Sequence, residues 1–575
     1  MAEVEVYSER VDDVPLLVHQ QQRMGIPAVL DGVIRAHGNR KGLSIGWLTC
    51  LWLSFILSEA DHRMIEMELW AAGQLETLSV LSPQPINRED FTDDRLADVL
   101  RALSQDQAWE EVETHLGRRL IRVYNLNGDP IRLDSTTAAV YHDADESTLF
   151  RYGRSKDHRP DLAQLKVMLA ALDPLGLPVA TLVVPGDAAD DPLYKPAIRR
   201  TRQVVGQGGR LYVGDSKMAA LSTRAFLQAG GDYYLTPLPQ SGEGTELLTR
   251  LLEPVWGKKQ ALERIYSAPQ GETPRKLLCL GYETTRPQQV EWNGRLLTWQ
   301  ERVLVIFSPT LVKQQRRGLQ KRLKRAEEEL RALTPPRGRG RRQWKALPPL
   351  QQAVQAILKK RRVKGLLEVT CLQEVDRRHV RHYGDRASRI EERVRYVVQV
   401  RRNREAIRAA RHRMGWRLYV INAPTERLPL AAAVRTYRGA PIIERDFRRL
   451  KGRPLGIRPL YVQRDDHAKG MVRLLSLALR VLTLTEYVVR EKLKQSNEAL
   501  VGLYAGLPKR ETVRPTTERL LRAFKPITTT VVRLPGQTIR HITPLSDLQR
   551  RILELLDLPL SIYEDLALQA MPNPP

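Results

Sequence analysis

The chain has 575 residues, and 42% of them are hydrophobic, which is enough for several packed domains. Lysine and arginine exceed aspartate and glutamate by 92 − 66 = 26. This excess favours a polyanionic partner, with nucleic acid as the first candidate and an anionic membrane surface as the second. The alternative, a merely basic or ribosomal-type protein, fits less well with a chain of this length. Three cysteines without a CxxC pair argue against a disulfide framework or a zinc finger and fit a reducing compartment.

Residues 1–125 are predicted to form a mostly helical N-terminal domain. The acidic start of the chain lacks the basic and apolar regions of a signal peptide, so none is expected. The apolar run from Gly42 to Ser58 is shorter than the roughly 20 residues that span a bilayer, and it is interpreted as a fully buried helix. Another helix is predicted at 91–103, where apolar side chains recur at i, i+3, i+4 and i+7 and Thr92 is placed to cap the first turn.

From 126 to 240 the pattern changes to that of a mixed sheet. The predicted strands cover 131–134, 165–172, 177–184, 210–213 and 232–236. The first three strands follow one another directly, and helices separate the last three. This order describes a mixed sheet with crossover helices.

The segment 241–425 is predicted to be β-rich at first and then helical and strongly basic. Residues 291–295 are typical of a hairpin tip. A coiled-coil-like seam of apolar residues runs from Leu319 to Leu333, and a cationic link follows at 335–342. The charges of 313–364 have two interpretations, contact with DNA phosphates or a helical hairpin whose charges face water.

The last part of the chain returns to apolar patterns. A strand is predicted at 416–422, and helices at 428–452 and 470–493. The C-terminal region, 501–575, mixes short strands and helices and is a candidate for dimerisation. Within it Ser546 is placed to cap a helix.

Three carboxylates stand out by their positions. Asp134 and Asp215 each come where a strand is predicted to end, and Glu444 lies on a basic amphipathic helix, seven residues before Lys451. Hard oxygen ligands of this kind suit two Mg²⁺ or Mn²⁺ ions, which lie roughly 3.5–4 Å apart in phosphoryl-transfer sites. Each acid alone has an ordinary alternative, since Asp134 can stabilise a turn, Asp215 can cap a helix and Glu444 can be a solvated surface residue.

Other metal-like patterns are weaker. His379 and His382 have ligand spacing close to Cys371, but their arginine-rich flanks oppose a cation. Residues 187–191 are interpreted as a polar turn and helix cap. Residues 465–467 are interpreted as structural or as supporting a site.

The region around Glu444 resembles the DDE transposases of bacterial insertion sequences, and more narrowly the insertion-sequence-four superfamily. Tyr437, Glu444 and Lys451 keep the spacing of that family's Tyr-x2-Arg-x3-Glu-x6-Lys signature. The E-x-x-F-R-x-L-K pattern is completed by Phe447, Arg448 and Leu450.

The likeness covers nearly the full chain, with one departure. Ala440 stands where the family has arginine, and Arg438 or Arg435 is a candidate to supply that charge. FTDDRL at 91–96 is similar to the subgroup with a distinct N-terminal helical domain. Further similar segments are LDSTT at 133–137, YVGDS at 212–216, WRLYVINAP at 416–424 and RPLYVQRDDHAKG at 458–470.

The resemblance implies an α/β fold with an RNase H-like catalytic core and a mixed sheet. The core would comprise 126–240 and 426–500, interrupted by a β-rich plus helical insertion at 241–425. Residues 1–125 would form the N-terminal helical domain, which binds end DNA, and 501–575 the C-terminal region.

The resemblance also implies residue roles. Asp134, Asp215 and Glu444 would be catalytic and would hold two Mg²⁺ or Mn²⁺ ions. The implied DNA contacts are Tyr437, Arg438, Arg448, Lys451, Trp292 and Trp299, the tryptophans as candidates to stack on a flipped base. Both tryptophans equally fit a hairpin core.

The implied reaction is hydrolysis at each transposon end, which exposes a 3′-OH, followed by attack of that hydroxyl on target DNA. The expected partners are double-stranded DNA with the terminal inverted repeats, target DNA and a second copy of the chain, in the cytoplasm at the nucleoid and without a membrane. Two other classes stay open: a catalytically inactive, transposase-derived DNA-binding protein, for which Ala440 is the argument, and an RNase H-like nuclease or RNA-binding protein.

Overall fold

The computed structural model describes residues 5–35, 41–268, 274–336, 343–381, 388–534 and 537–568. The chain divides into two compact units. The first contains Met1–Pro237, Pro287–Glu301 and Ile421–Pro575, and the second contains Leu238–Arg286 and Arg302–Val420.

Strands occur along most of the described part of the chain. The strands are β1 (Glu5–Arg10), β2 (Ile131–Ala139), β3 (Gln164–Leu172), β4 (Leu177–Pro185), β5 (Leu211–Gly214), β6 (Tyr233–Pro237), β7 (Glu263–Tyr266), β8 (Leu277–Trp292), β9 (Arg295–Phe307), β10 (Leu367–Val380), β11 (Arg389–Arg402), β12 (Trp416–Ile421), β13 (Leu500–Val501), β14 (Glu511–Thr512), β15 (Thr528–Leu534) and β16 (Gln537–Ile542).

The helices precede, connect and follow these strands. They are α1 (Val14–Met24), α2 (Ile26–Val33), α3 (Ile45–Glu59), α4 (Met64–Ala72), α5 (Leu75–Leu81), α6 (Asp93–Ser104), α7 (Asp106–Val123), α8 (Tyr194–Val205), α9 (Leu221–Ala229), α10 (Glu243–Trp256), α11 (Pro309–Ala332), α12 (Leu347–Arg361), α13 (Arg404–His412), α14 (Leu430–Tyr437), α15 (Pro441–Lys451), α16 (Asp465–Ser496), α17 (Thr517–Arg522), α18 (Asp547–Leu555) and α19 (Ser561–Leu568). Two 3-10 helices cover Arg88–Phe91 and Asp191–Leu193.

The predicted buried helix is α3. Ser44 caps it by accepting a hydrogen bond from the Trp47 N–H, and every residue from Ile45 to Leu57 is buried. A helix that is apolar on all sides is stable when it is surrounded by other elements, and α1, α2, α6 and α16 pack against it. In the described part of the chain, no helix is long and apolar enough to cross a membrane.

The N-terminal segment differs from the prediction at two points. Residues 5–10 form a strand, β1, which pairs antiparallel with β15 from the C-terminal region. Thr92 occupies the N-cap position of α6 but makes no side-chain capping bond. Its hydroxyl instead donates to the Glu89 carbonyl at 3.3 Å.

The five strands predicted between 126 and 240 form a mixed sheet in the order β4-β3-β2-β5-β6. β2, β3 and β4 are antiparallel neighbours, whereas β2, β5 and β6 run parallel. Parallel neighbours need crossover connections, and α8 and α9 supply them. β2 continues to Ala139, which is further than the predicted strand at 131–134.

The long helix α16 lies in the core of the first unit and packs against several of its elements. Most of its residues from Ala468 to Glu486 are buried, and it packs against α6, β4 and α15. Within this packing the carboxylate of Glu113 pairs with Arg200 and Arg480. A buried carboxylate shared by two guanidiniums satisfies charges that would otherwise be costly to bury.

The β8–β9 hairpin turns where the sequence predicts it. Asn293 and Gly294 both have positive φ, at 50° and 73°, as the two central residues of a type I′ turn require. The tip of this hairpin, 287–301, belongs to the first unit.

The second unit contains the predicted helical hairpin and a β-ribbon that was not predicted. Leu319, Leu323 and Leu330 of α11 pack against Leu350 and Val354 of α12. The following segment was predicted to be helical, which is wrong, because β10 and β11 form a 14-residue antiparallel ribbon there.

Some predictions fall on residues outside the described part of the chain. These are the acidic start at 1–4, most of the cationic link (337–342) and His382. Ser546 caps α18 as predicted, since its hydroxyl accepts from the Gln549 N–H and the Gln549 side chain accepts from the Ser546 N–H.

Candidate active site

Asp134 and Asp215 lie side by side on adjacent parallel strands. The register pairs Leu133 of β2 with Gly214 of β5, so the two aspartates are the next residues on neighbouring strands, which are about 4.8 Å apart in a sheet. Asp215 follows the last residue of its strand, as predicted. Asp134 lies within β2 rather than at its end.

The two carboxylates influence each other electrostatically. Burial raises the pKa of Asp134, and the charge of Asp215 raises it further, while the ammonium of Lys156 opposes both effects. This is the behaviour of clustered carboxylates, whose ionised forms repel each other in a partly desolvated site.

A buried tyrosine holds Asp215. The Tyr194 hydroxyl donates to Asp215 Oδ1 at 2.6 Å, and burial together with the nearby acids raises the pKa of Tyr194. The tyrosine therefore remains a protonated donor. The Lys217 N–H donates to the same carboxylate oxygen at 2.8 Å, and the Thr236 hydroxyl donates to the Asp215 carbonyl at 2.6 Å.

Two residues beside Asp134 were missed by the sequence analysis. Lys156 Nζ lies 3.5 Å from Asp134 Oδ1 and donates to the carbonyl and hydroxyl of Ser135. Asp190 accepts from the Ser135 hydroxyl at 2.9 Å and pairs with Lys166 at 2.9 Å. The sequence indicates only a polar turn at Asp190, and it gives no signal for Lys156, because no local pattern folds the loop after β2 back onto Asp134.

Glu444 lies on α15, a helix that packs against β2. The opposite side of α15 is anchored by buried charges: Arg449 pairs with Glu486 and Glu518, and Arg445 pairs with Glu486. Because that side is fixed, Glu444 stays on the exposed face of the helix.

Glu444, Arg448 and Lys451 share one face of α15, since they are spaced four and three residues apart. Lys451 Nζ lies 2.8 Å from Asp157 Oδ1, in the residue that follows Lys156. The face that carries Glu444 therefore borders the loop beside Asp134. Among the described residues, no three acidic, histidine or cysteine side chains are grouped closely enough to hold a metal ion, so Glu444 is not brought together with the two aspartates.

The turn that precedes α15 carries the other residues of the predicted signature. Tyr437 ends α14, and Arg438 and Ala440 lead into α15. The buried guanidinium of Arg132 donates to the Thr436 carbonyl and lies against Gly439, where a Cβ would come within 2.2 Å of it. The Arg132 guanidinium therefore places positive charge at this turn. Part of that charge is balanced by Asp173, with which Arg132 pairs at 2.6 Å.

The two tryptophans at the hairpin tip have different environments. Trp299 is 7% exposed, and its indole N–H donates to the Tyr234 hydroxyl at 2.9 Å. This burial assigns Trp299 to the core, because neither ring face is open to a nucleobase. Trp292 is half-buried beside Phe226, with the Lys195 ammonium 5.6 Å from its ring centroid.

The candidate site lies within a segment that matches a known protein family. Residues 129–481 match the family model described as "Transposase DDE domain", which is more than half of the chain. No curated protein sequence matches the chain significantly.

Among solved structures, the chain is similar to one in the cryo-EM structure of a piggyBac transposase synaptic complex with hairpin DNA. The two chains are 8% identical, with a TM-score of 0.25, and the match covers 53% of this chain and 60% of that chain. The chain therefore spans about 60% of the length of the solved chain, and a similarity at this TM-score supports no conclusion about the site.

Proposed function

Because this chain belongs to the DDE transposase family, we propose that it is an active, metal-dependent transposase of the insertion-sequence-four type. It cuts DNA at the ends of a transposon and joins the freed 3′-OH to target DNA. The observation that carries this proposal is the register of β2 and β5, which sets Asp134 beside Asp215.

The sheet order supports an RNase H-like core. Three antiparallel strands come first, and two strands parallel to β2 are added on its other side through α8 and α9. Ligands bind at the carboxyl ends of such parallel strands, which is where Asp215 lies. In this proposal the segment 426–500 is the second half of the core, and the insertion at 241–425 separates the two halves.

The two aspartates fit a divalent metal site. They are hard oxygen donors, and burial and the charge of Asp215 raise the pKa of Asp134 although the Lys156 ammonium opposes this. We propose that Asp134 and Asp215 would hold Mg²⁺ or Mn²⁺, and that Glu444, which this structure does not bring together with them, completes the ligand set when α15 moves closer to β2 in the DNA-bound protein. Two such ions would activate the attacking oxygen and stabilise the leaving 3′ oxygen.

Other side chains position these groups and the DNA. Tyr194 fixes the orientation of Asp215 through its hydroxyl, so one carboxylate oxygen stays free. On α15, Arg448 and Lys451 contact the DNA backbone with Tyr437 and Arg438, as charge-assisted bonds to phosphate are strong. Trp292 remains the candidate for base stacking.

The net charge of +26 supports double-stranded DNA as the substrate, both as terminal inverted repeats and as target. We propose that two copies of the chain act together on two ends, at the nucleoid. Residues 1–125 bind the end DNA, and residues 501–575 contribute to dimerisation.

The proposal is tested with duplexes that carry the inverted repeats flanking the reading frame. With Mg²⁺, the protein should produce nicks with a 3′-OH at the terminal base of the repeat. Specific binding without nicks would instead support the second candidate, an inactive DNA-binding derivative, which Ala440 in the signature favours. Cleavage that ignores the end sequence would identify a general nuclease.

A further inference from the structure

Two consecutive residues of the loop between β2 and β3, Lys156 and Asp157, contact different parts of the candidate site. Lys156 contacts β2, and Asp157 contacts α15. Lys156 lies on Asp134 and Ser135 of β2. Asp157 points the other way, 2.8 Å from Lys451 Nζ and 3.2 Å from an Arg458 guanidinium nitrogen. A single carboxylate thus bridges the end of α15 and the segment that follows it.

The charges around Asp157 are unbalanced. Its carboxylate is the anion that pairs with both Lys451 and Arg458, and all three side chains are mostly buried, with 13%, 18% and 28% of their side-chain surface exposed, respectively. Burial lowers the pKa of Lys451, Arg458 and Lys156 lower it further, and Asp157 opposes this. A second anion would be attracted to Lys451 and Arg458, two cations that share a single carboxylate.

We propose that Lys451 and Arg458 form a two-cation binding site for a DNA phosphodiester, and that Asp157 occupies this site in the free protein and is displaced when DNA binds. This inference rests on the proposed function. It adds Arg458 to the DNA contacts, and it gives Asp157 the role of an internal competitor that mimics a phosphate.

A purely structural role for Asp157 predicts the opposite behaviour. If the ion pairs only hold Lys451 in position, removing the carboxylate would leave Lys451 and Arg458 poorly oriented and would weaken DNA binding. If Asp157 competes with phosphate, removing it would free both cations and strengthen binding.

The test measures binding of a fluorescent duplex that carries the flanking inverted repeat, in EDTA, over a series of salt concentrations. Asp157→Asn should bind about tenfold more tightly at low salt, because DNA no longer has to displace a carboxylate. Its plot of log K against log salt should keep the native slope, because the same two cations neutralise phosphate in both proteins, at about −0.9 for each phosphate. Lys451→Ala and Arg458→Ala should each flatten the slope by about one.

The matched control is Asp161→Asn, which removes the same charge from the same loop at an exposed position that pairs with Arg159. An equal gain from Asp161→Asn would show a general charge effect and overturn the proposal, as would unchanged or weaker binding by Asp157→Asn. If Asp157→Asn does not fold, the slope of Arg458→Ala decides, and an unchanged slope refutes the site.

The readout separates this inference from the proposed function. Binding in EDTA does not depend on cleavage, so a protein that never nicks DNA can still show the Asp157 effect. Conversely, if the protein nicks transposon ends but Asp157→Asn does not strengthen binding, the proposed function stands and only the role of Asp157 as a competitor is refuted.

Discussion

At the scale of single residues, the candidate site is defined by carboxylates whose neighbours differ. Asp134 is half-buried beside Asp215, and its main compensation is Lys156. Asp215 is held by the Tyr194 hydroxyl and the Lys217 N–H. The two acids therefore have distinct supports, and each can be removed without altering the other's hydrogen bonds.

We expect Asp134→Asn, Asp215→Asn and Glu444→Gln each to reduce nicking of transposon ends about a thousandfold or more, because a metal ligand contributes several kcal/mol to transition-state stabilisation. Binding of the uncut duplex should remain. The measurement is single-turnover cleavage alongside binding in EDTA. Asp190→Asn is the control for a nearby acid without an assigned ligand role, and full activity of any of the three variants removes that residue from the site.

A second residue-scale prediction concerns Asp13, which is fully buried beneath Lys525. The Ser58 hydroxyl donates to Asp13 Oδ1 at 2.6 Å, and Lys525 Nζ lies 3.5 Å from the same oxygen. Burial nevertheless raises the pKa of Asp13 above its usual value. The stability that comes from protonation is present at low pH and is lost as the pH rises through the raised pKa.

Asp13→Asn removes this dependence, since an amide does not ionise. We expect the variant to gain stability relative to the native chain as the pH rises from 4.5 to 8, by about 1 kcal/mol. Thermal unfolding at the two pH values provides the measurement, with Asp94→Asn at an exposed position of α6 as the control. A gain that is the same at both pH values would mean that Asp13 is ionised throughout.

At the scale of elements, α15 carries candidate site residues on one face and anchoring arginines on the other. Glu444, Arg448 and Lys451 lie on one face, whereas Arg445 and Arg449 attach the other to Glu486 of α16. Glu486 also pairs with Arg490 of its own helix. One buried carboxylate, 2% exposed in its side chain, therefore determines where the Glu444 helix lies.

Glu486→Gln should lower the free energy of unfolding by roughly 3 kcal/mol, because it removes the buried carboxylate that Arg445, Arg449 and Arg490 share. Denaturant unfolding measures the loss. Glu491→Gln, one turn further along α16 and paired with Lys494, is the matched control and should change little. Equal losses in the free energy of unfolding would show that the buried ion pairs contribute no more to stability than an exposed pair.

The ribbon of β10 and β11 shows why one segment was predicted incorrectly. Arginine and glutamate occur throughout it, and such a composition is compatible with a solvated helix. The two strands instead pair over their full length, with Cys371 opposite Val398 and Glu374 opposite Arg395. Pairing between these two consecutive strands supplies the stability, and the pattern of either strand alone does not show which partner and neighbours it packs against.

At the scale of the whole molecule, the excess of positive charge is the broadest indication of the substrate. In the second unit, part of this charge is paired internally: Arg402 binds Glu327, and Arg361 binds Glu329. Lys321 on α11 is exposed. The basic hairpin therefore presents both compensated cations and a cation open to solvent.

If α11 contacts DNA phosphates, Lys321→Gln should flatten the salt slope of DNA binding by about 0.9. Arg402→Gln, which removes the same charge from a paired guanidinium, should change the slope much less. The binding assay is the one used for Asp157. Equal slopes for Lys321→Gln and the unaltered protein would establish the other interpretation, in which these charges only face water.

The sequence by itself determined the strands β3 to β6, the buried helix α3, the cap at Ser546 and the turn at Asn293-Gly294, because each depends on side chains that are close along the chain. It also singled out Asp134 and Asp215. Only the tertiary structure decided that Lys156 and Asp190 lie beside Asp134, that β1 pairs with β15, and that Asp157 bridges Lys451 and Arg458. These contacts join segments far apart in sequence, where the free energy comes from burial and charge pairing that only the folded chain creates.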